Sequence, residues 1–140
     1  MIALDLMDKS EPGLKKDHSI ITRADKAISR LARECLNDFL KDPKHILIDE
    51  EDPAIREYLD QKHLDQSSFI WAIDPIDGTR LYANQMPLFG VSIGLIKDLK
   101  PWLGVVYFPV LKELFYCDGS EAYYVKNAFS DQETRRKHES

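Results

Sequence analysis

Acidic residues cluster at two points in the sequence, and each cluster comes directly after an apolar run. Glu50 and Glu51 follow residues 45–48, and the hexad DPIDGT at residues 74–79 follows residues 69–73. Carboxylates that share a small volume repel one another unless a cation neutralises them. Hard oxygen ligands of this kind suit Mg²⁺, which is commonly completed by a substrate phosphate. The two clusters therefore predict a magnesium site beyond the ends of two strands.

The hexad itself has the composition of a tight turn. Asp74 and Pro75 are typical of the first two positions of a type I turn, which would bring Asp77 within about 7 Å of Asp74, Cα to Cα. Gly78 permits close backbone approach, and Thr79 supplies a hydroxyl group. The alternative is an ordinary surface turn, since Asp, Pro and Gly are the residues that turns use. The apolar run before the hexad and the second acidic cluster favour the metal site.

Each of the other acidic candidates has an alternative interpretation. Adjacent side chains on an extended chain point to opposite faces, so one of Glu50 and Glu51 could bind a cation while the other orients a water. The pair could instead be a solvated acidic loop beside a helix N-terminus at Pro53. Asp25 lies three residues after Thr22, which is the spacing of a helix-capping arrangement. Phosphatases of the haloacid dehalogenase type also have two aspartates after an apolar strand, but only one residue separates them and the first is a phosphorylated nucleophile. Here two residues separate Asp74 from Asp77, and this spacing suits metal-activated water better than a covalent aspartyl-phosphate.

The surrounding pattern predicts helices first and hairpins afterwards. Apolar residues recur at helical spacing over residues 22–40, and Pro53 favours a short helix over 53–60. Strands are predicted over residues 45–48, 69–73, 88–96, 102–108, 113–117 and 122–125. The short connections after residue 87 indicate antiparallel meanders, which gives an α+β layered fold of one domain over residues 1–140. Residues 1–18 are predicted to be an irregular entry segment, and residues 128–140 a polar tail.

Composition excludes several classes of protein. The chain of 140 residues is 44% hydrophobic and carries a net charge of −5, without a basic stripe that would fit a nucleic acid polymer. No apolar run approaches the roughly 20 residues that a membrane span needs. Cys35 and Cys117 are too few for a disulfide framework, so we expect reduced thiols and a cytoplasmic protein.

Three segments together resemble the inositol monophosphatase family. WAIDPIDGT and the hairpins after it (residues 71–125) resemble the metal-binding signature of that family and the strands that follow it. ILIDEED (46–52) resembles the upstream strand that ends in acidic residues. SIITRAD (19–25) resembles the segment that opens the following helix. The resemblance covers about residues 14–127. It implies the N-terminal part of the layered αβαβα sugar-phosphatase fold.

The resemblance also implies an activity. The expected function is a Mg²⁺-dependent phosphomonoesterase that hydrolyses inositol monophosphate or a related small phosphate ester by direct attack of metal-activated water. A 3′(2′),5′-bisphosphate nucleotidase shares the signature and is the alternative enzyme. A catalytically incomplete metal-binding fragment is the alternative of a different class.

Residue roles follow from the same resemblance. The implied metal ligands are the carboxylates of Glu50, Asp74 and Asp77 and the backbone carbonyl of Ile76. Glu51 and Thr79 would hold the attacking water, and Asp25 would orient Thr79. The substrate phosphate would contact the metal-binding aspartates and the signature's last two residues, namely Asp74, Asp77, Gly78 and Thr79.

The sequence departs from the family pattern at three points. The third metal-binding aspartate of the family lies in a Trp-Asp motif, and here Ala72 follows Trp71 and Leu103 follows Trp102. From this resemblance we expect the C-terminal half of the family fold to be absent and its first helix to be short or missing. Arg80-Leu81-Tyr82 replaces the more common Thr/Lys-x-Phe pattern after the signature threonine, which bears on substrate preference. A homodimer is a further expectation from the resemblance.

Overall fold

A computed structural model describes residues 2–7, 13–14, 20–52, 68–130 and 134–137. The helices are α1 (Ile2–Met7), α2 (Arg23–Cys35), α3 (Asn37–Leu40) and α4 (Thr79–Ala83). The strands are β1 (Gly13–Leu14), β2 (Ile20–Ile21), β3 (His45–Asp49), β4 (Phe69–Asp77), β5 (Gly90–Lys97), β6 (Lys100–Phe108), β7 (Glu113–Cys117), β8 (Ala122–Lys126) and β9 (Thr134–Lys137). The helix predicted over 53–60 lies outside the described residues. None of the described helices combines the length and the apolar character that crossing a membrane requires.

A seven-stranded sheet dominates the described part of the fold. Its strands lie in chain order from β3 to β9. The pair β3–β4 is parallel, and every later pair is antiparallel. The predicted meanders and the α+β class are thus confirmed. Strands β1 and β2 form a separate antiparallel pair.

Helix α2 packs its apolar side toward the sheet. Ala24, Ile28 and Ala32 are buried and follow one another at intervals of four residues, which places them on one side of the helix. The main buried cluster joins helices α1 and α2 to the signature segment and to α4. Its members are Ala3, Ala24, Ile28, Ile76, Tyr82 and Phe89. The hydroxyl of Tyr82 donates to the backbone carbonyl of Ala3 at 2.7 Å, which ties α1 to α4.

Three predictions about local structure are wrong. The segment from Asp74 to Asp77 is not a type I turn, because β4 continues through it and keeps pairing with β5. The entry segment 1–18 includes α1 and β1. The tail 128–140 includes β9, which pairs with β8 although its residues are polar, because strand pairing uses backbone groups and does not require an apolar side chain.

Candidate metal and phosphate site

The parallel pair β3–β4 brings the two acidic clusters together. Asp49 pairs with Ile73 at the end of the ladder, and the backbone N–H of Glu50 donates to the carbonyl of Ile73 at 3.1 Å. Since parallel strands end at the same edge of a sheet, the residue after each final pair lies beside its counterpart. Those residues are Glu50 and Asp74.

The side chains of Glu50 and Asp74 are hydrogen-bonded to each other, which requires that they share a proton when no cation is bound. Burial, this contact and the charges of Glu50 and Asp77 raise the pKa of Asp74 from 3.8 to about 7, against an opposing effect of the Ile76 backbone. The Oδ1 atom of Asp74 is buried and has no hydrogen-bond partner among the described residues. A carboxylate pair with a buried unused oxygen is chemically suited to a hard divalent cation.

The signature segment reaches this edge through a β-bulge. Asp74 pairs with Ser92 and Asp77 pairs with Gly90, so three steps on β4 oppose two steps on β5. Bulges of this kind re-aim side chains and are common beside functional sites. Asp77 is exposed here, whereas Ile76 buries its side chain.

Gly78 lies between β4 and α4 and is the N-cap residue of the helix. Its φ of 89° and ψ of 37° lie in the left-handed region, which glycine adopts without strain. A Cβ atom at Gly78 would lie 3.2 Å from the backbone oxygen of Leu88. The hydroxyl of the next residue, Thr79, donates to the carbonyl of Ile76 at 2.9 Å. This hydrogen bond holds Thr79 beside the Ile76 carbonyl, which the family resemblance assigns as a metal ligand.

The capping role of Asp25 is confirmed. Its carboxylate accepts the backbone N–H of Thr22 at 2.7 Å and the hydroxyl of Thr22, and the Thr22 hydroxyl accepts the N–H of Asp25. Asp25 is fully buried and Thr22 is 2% exposed. The second role, orientation of Thr79, stays a prediction.

Asp49 is a site residue that the sequence analysis missed. It is 2% exposed and accepts hydrogen bonds from the hydroxyl of Ser29 and the backbone N–H of Glu51, both at 3.0 Å. The guanidinium of Arg33 lies 4.0 Å from the carboxylate of Asp49 and 3.7 Å from the carboxylate of Asp52. Asp49 thus fixes the acidic loop against α2. The signal available in the sequence was its position, as the last strand residue before Glu50.

The predicted ligands are brought together only in part. Glu50 contacts Asp74, and Asp77 is close enough to affect the pKa of Asp74. Glu51 is partly buried in the adjoining loop. Within the described ranges, no group of three or more His, Cys, Asp or Glu side chains is arranged around one point that could hold a metal ion.

Relatives with known names match most of the chain. The 3′(2′),5′-bisphosphate nucleotidase CysQ of Salmonella typhimurium is 37% identical over 109 residues, which is 78% of this chain and 42% of the nucleotidase. A fructose-1,6-bisphosphatase/inositol-1-monophosphatase of Aquifex aeolicus is 32% identical over 102 residues, 73% of this chain and 35% of that protein. The chain therefore spans less than half the length of these curated relatives.

Solved structures show the same fold. A staphylococcal inositol monophosphatase-1 matches with a TM-score of 0.71 and 24% identity, over 88% of this chain and 44% of its own. The model of the inositol monophosphatase family matches residues 3–139, which is nearly the whole chain. With its fold, its signature segment and its relatives in agreement, the chain belongs to the inositol monophosphatase family.

Proposed function

We propose that this chain carries the metal-binding part of a Mg²⁺-dependent phosphomonoesterase acting on inositol monophosphate or a related small phosphate ester. Family membership supports the reaction class. The observation that carries the site is the contact between the carboxyl groups of Glu50 and Asp74 at the ends of two parallel strands. Such a pair is unfavourable for a fold that serves stability alone, because one carboxyl must stay protonated or the two charges repel.

The proposed ligands are the carboxylates of Glu50, Asp74 and Asp77 and the carbonyl of Ile76. When bound, Mg²⁺ would neutralise charge on the phosphate and make a water more acidic. The ligand set is oxygen only, as Mg²⁺ prefers, and the buried Oδ1 of Asp74 offers a free acceptor.

The remaining residues would orient water and substrate. Glu51 would accept the proton of the attacking water, and Thr79 would fix the direction of that water. Asp25 would act through Thr79 as a positioning residue. The backbone amides of Gly78 and Thr79 would bind phosphate oxygens beside Asp74 and Asp77, since the first N–H groups of α4 have no partner within the helix. Stabilisation of charge and correct positioning are the main demands of phosphoryl transfer.

A second candidate function is the hydrolysis of a 3′(2′),5′-bisphosphate nucleotide. The Salmonella typhimurium relative of that name is 37% identical over 109 residues. Comparison of kcat/KM for inositol 1-phosphate and adenosine 3′,5′-bisphosphate would separate the two substrates. A cytoplasmic location and a homodimer also belong to the proposal, and gel filtration with light scattering tests the dimer.

The proposal is tested by Mg²⁺-dependent phosphate release together with Mg²⁺ binding by calorimetry. We expect Asp74→Asn to abolish both, because it removes one charge from the carboxylate pair. Asp98→Asn is the matched control, since Asp98 is exposed in the β5–β6 turn at φ 53°, where Asn is well tolerated. Mg²⁺ binding without turnover would support the incomplete fragment instead. Absence of Mg²⁺ binding at millimolar concentration would refute the metal site.

A further inference from the structure

The acidic loop at the end of β3 consists of the four residues Asp49–Asp52. Its members face two different neighbours. Glu50 contacts Asp74 at the proposed metal site, whereas Asp49 and Asp52 contact Arg33 of α2. The first and last residues of the loop thus face a helix that carries none of the proposed metal ligands.

The backbone of the loop forms a turn that Asp49 closes. The N–H of Asp52 donates to the carbonyl of Asp49 at 3.0 Å, which is the hydrogen bond of a β-turn. The N–H of Glu51 donates to the carboxylate of Asp49, also at 3.0 Å, as in an Asx-turn. Glu50 and Glu51 therefore occupy the two central positions of a turn and do not lie on an extended chain.

Ser29 anchors the carboxylate of Asp49 to α2. The Oδ1 atom of Asp49 accepts the hydroxyl of Ser29 at 3.0 Å and the N–H of Glu51 at the same distance. Asp49 is 2% exposed, so water competes little for these hydrogen bonds. A single oxygen atom thus links the helix to the backbone of Glu51.

Arg33 contacts both ends of the turn. It lies four residues after Ser29, and residues at this spacing lie on the same side of a helix. One guanidinium nitrogen is 4.0 Å from Oδ2 of Asp49 and 3.7 Å from Oδ2 of Asp52. Because these ion pairs join the first and last residues of the turn, they restrict the position of the two glutamates between them.

Arg33 would have two opposing effects on a bound cation. Its positive charge repels Mg²⁺, so electrostatics alone predicts that Arg33 weakens metal binding. Its contacts with the loop restrict the ligands before the cation arrives, and preorganised ligands bind more tightly. The side chain of Arg33 is 52% exposed, so solvent and salt screen the repulsion. The direction in which Mg²⁺ affinity changes when Arg33 is removed therefore distinguishes the two effects.

We propose that Ser29, Asp49 and Arg33 are positioning residues, which hold the acidic loop in the conformation that binds Mg²⁺. The proposal rests on the proposed function, since it takes Glu50 as a metal ligand and Glu51 as the acceptor of the water proton. None of the three is a proposed ligand. Removal of residues that orient metal ligands commonly weakens metal binding by about 10–100-fold.

Ser29→Ala tests the anchor without a change of charge. Alanine favours a helix, so we expect α2 to remain folded. The dissociation constant of Mg²⁺, measured by calorimetry, should rise about tenfold, because Asp49 loses its hydrogen bond to the helix. Ser120→Ala is the matched control, since Ser120 also donates its hydroxyl to an aspartate, Asp118, at 2.8 Å, but lies in the β7–β8 turn. This control should leave the dissociation constant unchanged.

Arg33→Met tests the ion pairs. We expect it to bind Mg²⁺ about threefold more weakly, although the substitution removes a positive charge. Arg33→Lys keeps the charge and should restore the binding. Lys41→Met is the matched control for the loss of charge, because Lys41 forms an exposed ion pair with Asp38 before the start of β3, whereas the loop follows its end.

A measurement without metal separates this proposal from the metal site itself. In EDTA, hydrogen exchange at the N–H of Glu51 should be about fivefold faster in Ser29→Ala, which is the effect of one lost hydrogen bond. Urea unfolding in the same buffer shows that each variant is folded. If the original chain did not bind Mg²⁺, the proposed metal site would fail, and exchange at Glu51 would still show whether α2 holds the loop.

Three results would overturn the proposal. Unchanged Mg²⁺ affinity in both Ser29→Ala and Arg33→Met would show that the loop needs no support from α2. Tighter Mg²⁺ binding by Arg33→Met would show that this side chain acts only through its charge. Unchanged exchange at Glu51 in Ser29→Ala would show that β3 alone holds the loop.

Discussion

Asp74→Asn should change how the stability of this chain depends on pH. The pKa of Asp74 is about 7 in the folded chain and 3.8 ordinarily, chiefly because of burial and the contact with Glu50. The folded state therefore binds more protons than the unfolded state between these two values. It follows that the free energy of unfolding falls as pH rises through this window. The contribution of Asp74 is fully present below pH 3.8 and lost above about pH 7.

The size of the effect follows from the same values. A rise of the pKa from 3.8 to about 7 corresponds to about 4 kcal/mol at 1.36 kcal/mol per pH unit. Asp74 is partly exposed to solvent and shares its proton with Glu50, so screening reduces this figure. We expect a loss of about 1–2 kcal/mol between pH 4 and pH 8. Asn stays neutral at every pH and can donate to Glu50, so the variant should not show this loss.

The assay is urea denaturation of both proteins in EDTA from pH 4 to pH 8, with Asp98→Asn as the control. Subtraction of the variant profile removes the contribution of other titrating groups. Mg²⁺ at tenfold its dissociation constant should then stabilise the original chain at pH 8 by about 1.4 kcal/mol and leave Asp74→Asn unchanged. Parallel pH profiles for the two proteins would refute the reasoning about the carboxyl pair.

Three further substitutions test the elements that position the site. Gly78→Ala should destabilise the chain by about 1–3 kcal/mol in denaturant, because the residue has φ 89° and its new Cβ would lie 3.2 Å from the carbonyl oxygen of Leu88. Thr22→Ala should cost about 1–2 kcal/mol, because it removes the cap shared with buried Asp25, as hydrogen exchange at the start of α2 would show. Tyr82→Phe should cost about 0.5–1.5 kcal/mol in thermal unfolding, since it removes the buried hydrogen bond from the Tyr82 hydroxyl to the Ala3 carbonyl.

Matched controls separate these effects from general sensitivity. Gly94→Ala should be neutral or stabilising, because a Cβ there meets only an atom at 3.9 Å. Tyr107→Phe changes a partly exposed ring and should cost less than Tyr82→Phe. Equal losses at Gly94 and Gly78 would contradict the argument from backbone conformation, and equal losses at the two tyrosines would contradict the argument from burial.

Local chemistry in the sequence was enough to predict most elements. The cap of Thr22 and Asp25 and the hairpins after residue 87 depend on neighbouring residues, whose side-chain period and turn chemistry can be read directly. The hexad DPIDGT could likewise be recognised as a family signature, because its residue types and spacing are rare together. These features require no knowledge of distant contacts.

The tertiary structure decided where the acidic groups lie. Sequence rules favoured a turn at Asp74, but pairing with β5 held the segment extended and placed a bulge there, since a continuing ladder satisfies more backbone groups than an isolated turn. The contact of Glu50 with Asp74 joins residues far apart in the chain and depends on the parallel register of β3 and β4. The burial of Asp49 against α2 arises in the same way, from packing between elements that no local pattern encodes.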